Sequence, residues 1–260
     1  MTNSLGVDVS KYNGPVHWDV AFQNGVKYTG VRATISWGYK DPWFAYNVAE
    51  CSRLGIYIMP YHVLYAGESI DRQVKNFLDT TSDWDLKFPV LDLELHHGLS
   101  KIVITKAVIA WCEAIEKAIN KKPIIYSRKY WINDYTLAGD WRNSWDWWLA
   151  AYYDNRTIER PAPPPKPTGV TNWLIHQNCD KKPAWPGFAA GGKDFLSTVD
   201  INRWNGDDEA VDKYFMPDLG EAIPKPPHET KLCPCCGQPI HEQPPTPFPK
   251  PPEKPIRLEY

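Results

Sequence analysis

Along the first 216 residues, short apolar runs alternate with stretches whose apolar residues recur at helical spacing. The short runs are 6–10, 28–36, 56–64, 88–95, 122–127, 146–153, 172–179 and 197–204. Each is five to nine residues long, rich in β-branched or aromatic residues and bounded by turn residues, which predicts strands. The clearest helix is 101–120, where Ser100 is the candidate N-cap. Ile104, Val108, Trp111, Cys112, Ile115 and Ile119 fall on one face of it at 3.6-residue spacing. Weaker helical patterns occupy 44–54, 69–80 and 207–214. Eight strands with interleaved helices predict a closed α/β barrel, irregular because its later connections are short of helix.

Composition changes at Met216. Of 25 prolines, 13 lie in residues 217–260, whereas all 13 tryptophans lie before that point. Residues 1–216 therefore read as one folded domain, and 217–260 as an extended proline-rich tail with too few apolar residues for a core. A second proline cluster, Pro161 to Pro167, reads as a surface loop. With 29 Lys+Arg against 31 Asp+Glu the net charge is −2, which gives no electrostatic case for a nucleic-acid partner. No apolar run approaches the ~20 residues of a membrane span. The first residues, MTNSLGVDVSKYNG, lack a basic segment followed by an apolar core, so no cleavable signal peptide is expected.

Candidate chemistry lies on the predicted strands. Asp8 falls in the first, Asp92 and Glu94 in the fourth, and Asp200 in the eighth. A carboxylate among Val and Leu in a buried strand costs several kcal/mol unless it is neutralised or hydrogen-bonded. Asp92 and Glu94 are two apart, so a strand would project both to one side with Cα atoms ~6.6–6.8 Å apart. Barrel closure makes the first and eighth strands neighbours and brings Asp8 towards Asp200. Four carboxyls around one cleft would raise the pKa of at least one and keep others ionised, as glycoside hydrolysis requires. The plainer reading is that these acids cap strands or pair with Arg32 and Lys40; four of them at strand ends weigh against it.

In order and spacing, these segments resemble the lysozymes of glycoside hydrolase family 25, which are N-acetylmuramidases. The matching stretches are GVDVSKYNG with HWD (6–19), VRAT (31–34), the element Asp41, Phe44, Asn47, and GIYIMPYHV (55–63). VLDLE (90–94), KPIIYS (122–127), WWLAAY (147–152), Trp173 to Gln177 and VDINRW (199–204) follow. The resemblance covers roughly 5–215 and implies an irregular α/β barrel that cleaves the β-1,4 bond between N-acetylmuramic acid and N-acetylglucosamine in peptidoglycan glycan strands, with retention. It implies Glu94 as general acid, Asp92 as its assistant, and Asp8 and Asp200 as the rest of an acidic floor. Tyr61, Tyr126, Trp148, Gln177 and Arg32 are expected to bind substrate. Arg32 and Asn178 depart from the family pattern, as does Val63 after the Tyr-His pair, which bears on subsite shape. A non-catalytic wall-binding or virion protein on the same barrel is the alternative.

No cofactor is expected for catalysis. His96 and His97 read as a solvated loop rather than a metal site, and Cys51, Cys112 and Cys179 as inert buried thiols. In the tail, Cys233 and Cys236 form one C-x-x-C within a cysteine-rich knuckle (233–241). Zinc completed by Cys235 with His241 or His228, reactive or disulfide-forming thiols, and no defined role all stand open for it. The proline-rich tail would suit attachment to a phage particle or cell wall. A phage lysin or virion-associated lysozyme, or an enzyme exported to the wall, fits these features.

Overall fold

The computed structural model describes residues 2–153, 159–183, 185–188 and 198–216. The elements run β1 (Leu5–Val9), α1 (Trp18–Gln23), β2 (Val26–Ile35), β3 (Tyr39–Lys40), α2 (Phe44–Leu54), β4 (Tyr57–Val63) and α3 (Ile70–Thr81). They continue with β5 (Val90–Asp92), α4 (Lys101–Ile119), β6 (Ile124–Ser127), α5 (Lys129–Tyr135), β7 (Asp146–Ala150), β8 (Ile175–Pro183), β9 (Thr198–Trp204) and α6 (Asp208–Phe215). The sheet order is β1-β9-β8-β7-β6-β5-β4-β2, closed by pairing of β1 with β2, so eight strands form the α/β barrel that the sequence predicts. β3 is a short antiparallel addition to β2.

The irregularity has a definite location. β1, β2 and β4 to β8 are parallel to their neighbours, whereas β9 runs antiparallel to both β8 and β1. The third residue of β9, Asp200, is therefore the register partner of Asp8, the fourth residue of β1. In a parallel β9, so early a residue would lie towards the opposite end of the barrel. Reversal of one strand puts both acids at the same rim.

The two ends of the barrel differ in chemistry. Tyr28, Met59, Val90, Ile124, Trp148 and Ile175 fill the interior. α6 closes the end where the parallel strands begin: Phe215 stacks on Tyr57 with ring centroids 4.4 Å apart, and Tyr214 meets Trp204 at 5.1 Å. Glycine makes room for the two large rings inside. A Cβ on Gly6 would stand 2.2 Å from the Tyr28 ring, and one on Gly30 2.7 Å from the Trp148 indole. The opposite rim, at the carboxyl ends of the parallel strands, holds the cleft.

Around the barrel, the helices bury apolar stripes against the strands. α4 has the buried face its spacing predicts, from Ile104 through Trp111 to Ile115. Ser100 caps it by accepting from the Val103 N–H, and Asn120 ends it in a left-handed conformation. β5 is shorter than the run 88–95 and stops at Asp92. The motif Asp41, Phe44, Asn47 turns out to be scaffold. Asp41 accepts from Arg32 and from the Lys11 and Trp43 N–H groups, Phe44 enters the core, and Asn47 accepts from the Trp18 indole. Residues 161–167 form an irregular, mostly exposed segment. The tail, with Cys233, Cys235, Cys236 and His241, lies outside the described residues.

Candidate active site

A cleft of about 230 Å³ opens at this rim, lined by Asp8, Glu94 and Asp200 together with Tyr61, Tyr126 and Tyr152. Six strands supply these groups: β1 and β9 place the two aspartates, β4 and β6 the first two tyrosines, and the segments after β5 and β7 carry Glu94 and Tyr152. Glu94 lies two residues beyond the end of β5, yet its backbone is held from several sides. The Leu93 N–H donates to Tyr126 O at 3.0 Å, Ser127 Oγ donates to Leu93 O at 2.7 Å, and Trp131 Nε1 donates to Glu94 O at 2.9 Å. α5, which carries Trp131, is thus part of what fixes the acid.

Gln177 is the hub of the floor. It is buried, and its Nε2 donates to Asp8 Oδ2 at 2.9 Å and to Asp200 Oδ2 at 3.3 Å. Its Oε1 accepts from the hydroxyls of Tyr126 and Tyr152, both at 2.7 Å. A second amide, Asn202 Nδ2, donates to Asp8 Oδ2 at 2.8 Å, while Asn202 Oδ1 accepts from Trp148 Nε1 at 2.8 Å. The indole, which can only donate, fixes the orientation of Asn202, and the accepting carboxylates of Asp8 and Asp200 fix that of Gln177. Both amides therefore present N–H groups to Asp8.

The acids differ in burial and charge environment. Burial pushes Asp8 up to about 6, assisted by the negative charge of Glu94 and opposed by the hydrogen bonds from Asn202 and Gln177. Asp92 is held well above the usual carboxylate range by burial, then by Glu94 and Asp8, against the pull of Arg32 and Arg128. Its Oδ1 is buried without a hydrogen-bond partner among the described residues. Glu94 is raised by burial and by Asp200, against Arg128. It is also the most exposed of the four acids, with 42% of its side chain open to solvent. Glu94 thus combines access to the cleft with a tendency to keep its proton.

Three expected substrate-binding side chains lie behind the cleft wall. Gln177 acts on the acids instead of facing the opening. Trp148 is 2% exposed and packs inside the barrel, its ring edge-on to Tyr126 at 5.6 Å. Arg32 is buried and engages Asp41, with Nε 2.7 Å from Oδ2. Alternation along a strand assigns inward or outward direction but not whether an inward ring reaches the opening, and the Trp148 ring stays buried beside its register partner Tyr126. Asp92, at the end of β5, is not among the residues that line the cleft. Sequence reasoning missed Asn202, Arg128, Tyr152 and Trp131. Asn202 sits two positions after Asp200 on the same face of β9, the one signal that could have found it.

His96 stacks on Tyr135 at 4.1 Å and its Nδ1 accepts from the Gly98 N–H, so it shapes the loop after Glu94. Among the described residues, no three His, Cys, Asp or Glu side chains form a group suited to a metal ion. Cys51 and Cys112 are buried free thiols whose pKa burial raises, and Cys179 is buried, its Sγ donating to Asp180 O at 3.4 Å. No helix among the described residues is long and apolar enough to cross a membrane.

A closed barrel with clustered carboxyls and tyrosines at one rim is an arrangement suited to glycoside hydrolysis. The model of glycosyl hydrolases family 25 matches residues 7–185, and the chain belongs to that family. It is 30% identical over 216 residues to the uncharacterized protein YegX of Escherichia coli (strain K12), covering 80% of this chain and 72% of that protein. Lysozyme M1 of Streptomyces globisporus is 24% identical over 216 residues, covering 77% of this chain and 67% of that one. The structure of a family GH25 lysozyme from Aspergillus fumigatus superposes with a TM-score of 0.69 at 23% identity, covering 82% of this chain and 98% of the other.

Proposed function

We propose that this glycoside hydrolase is a lysozyme that cleaves the β-1,4 bond between N-acetylmuramic acid and N-acetylglucosamine in bacterial peptidoglycan. The observation that carries this reading is Glu94, a carboxyl open to the cleft whose pKa is raised by burial and by Asp200. The names of Lysozyme M1 and of the N,O-diacetylmuramidase of Arthroderma benhamiae, 23% identical over 214 residues, support the substrate class. An endolysin and a phage endolysin domain among the structural neighbours fit a lysin acting on the wall.

Glu94 donates its proton to the glycosidic oxygen as the bond from that oxygen to the anomeric carbon breaks. Positive charge develops on the anomeric carbon and is offset by the surrounding carboxylates. Asp92 orients the acetamido group of the sugar or stabilises the charged intermediate; its oxygen without a partner among the described residues supports this role. Asp8 and Asp200, tied together by Gln177, keep the floor acidic. Water then adds to the anomeric carbon and its proton returns to Glu94. Retention is the expected stereochemistry, tested by NMR of the first-formed anomer.

The test is release of reducing ends from purified peptidoglycan by wild type and Glu94→Gln. Loss of turnover by about 10³-fold or more in the variant, with binding kept, supports the assignment. Equal turnover in both removes Glu94 from the chemistry. Binding without turnover in wild type favours the wall-binding alternative.

A further inference from the structure

The charged side chains that line the cleft, among the described residues, are four carboxylates and one cation: Asp8, Glu94, Asp180, Asp200 and Arg128. Arg128 immediately follows β6. Its guanidinium lies over the Tyr152 ring, 4.9 Å from the centroid. Nη2 donates to the Tyr152 hydroxyl at 3.1 Å and Nη1 to the Tyr130 hydroxyl at 3.2 Å. Each terminal nitrogen carries two hydrogens, so among the described residues these bonds leave one on each uncommitted. The nearest acid does not take them: Glu94 Oε1 is 3.9 Å from Nε, beyond hydrogen-bond distance. About a third of the side chain is exposed. Among the described residues, the cation is therefore held in place by aromatic neighbours, with donors to spare, and is the one basic side chain that lines the cleft.

We infer that Arg128 binds a carboxylate carried by the side arm of the muramyl sugar, and that this contact makes the enzyme prefer glycan bearing that charge. The inference rests on the muramidase reading. N-acetylmuramic acid differs from N-acetylglucosamine by a lactyl ether ending in a carboxyl group. In the intact wall that carboxyl is joined to a stem peptide with carboxylates of its own, and the fork of a guanidinium suits either source. A role confined to the field at Glu94 would act equally on charged and uncharged glycan. The two roles therefore separate in a ratio of substrates.

The experiment measures kcat/KM of wild type, Arg128→Gln and Arg128→Lys on two pairs of glycan strands. One pair is peptide-free, with lactyl carboxyls free or converted to amides. The other bears stem peptides, with their carboxyls free or amidated. Wild type is expected to favour the charged member of one pair about tenfold, which identifies the source. Arg128→Gln brings that ratio close to one, and Arg128→Lys keeps part of it. A wild-type ratio near one in both pairs overturns the inference, as does a ratio that survives in Arg128→Gln. Should wild type cut none of the four substrates, the muramidase reading itself falls and takes the inference with it.

Discussion

Asp8 and Asp200 face each other across the antiparallel β1–β9 pair, and the single amide nitrogen of Gln177 hydrogen-bonds both, at 2.9 and 3.3 Å. Two carboxyls so close share one donor, so the placement of that amide governs both. Gln177 is in turn oriented by two tyrosine hydroxyls. Replacing it with Leu is expected to lower kcat about 100-fold by misplacing the floor. It should also move the Asp8 titration, followed by carbon NMR of the carboxyl, above about 6, because a bond that favours the charged form is lost. A rise in KM alone, with the titration unmoved, would return Gln177 to the substrate-contact role.

The raised pKa of Asp8 makes stability depend on pH. The carboxyl has its ordinary value of 3.8 in the unfolded chain and about 6 in the fold, so the fold holds its proton more tightly. Its contribution is fully present below pH 3.8 and is lost as pH rises through about 6, a change of up to about 3 kcal/mol. Urea unfolding of Asp8→Asn between pH 3.5 and 7, on the order of that window, should show a flatter profile than wild type. Parallel profiles would show that Asp8 titrates normally.

Arg32 and Asp41 form an ion pair with side chains only 6% and 1% exposed. Arg32→Ala leaves the Asp41 charge buried without its cation and is expected to cost about 3–5 kcal/mol in urea unfolding. KM for glycan should change little in protein that remains folded. Unchanged stability with a raised KM would place Arg32 in the sugar cleft after all.

Packing and positioning can be separated at Gly30. A Cβ there would lie 2.7 Å from the Trp148 indole and 3.1 Å from Asp8 Cβ, so Gly30→Ala is expected to cost about 1–3 kcal/mol. Adding Trp148→Phe makes space and restores part of the stability. The smaller ring cannot donate to Asn202, so kcat of the double variant stays low. Recovery of both quantities together would mean that the Trp148–Asn202–Asp8 chain has no part in activity.

The barrel was legible because each strand carries a short apolar run and α4 a continuous buried stripe. Asp8, Asp92, Glu94 and Asp200 stood out because acids among Val and Leu are expensive to bury. The direction of β9 was not legible, since alternation reads the same from either end. α5 was too short, at seven residues, to give a helical period. Tyr152 and Arg128 gave no signal because their partners are 25 and 24 residues away in the chain, and Asn202 offered only its two-residue spacing from Asp200, its partner Asp8 being 194 residues away. Trp148 and Arg32 lie on barrel strands, but alternation could not show that both side chains are buried away from the opening.

The identity of the new chain end after digestion bears most directly on the proposed function. Purified protein would be incubated with purified peptidoglycan and the newly formed reducing ends identified by mass spectrometry, beside Glu94→Gln. The account predicts N-acetylmuramic acid at those ends with wild type and none with the variant. N-acetylglucosamine at the new reducing ends would contradict it, leaving a hydrolase of different bond specificity.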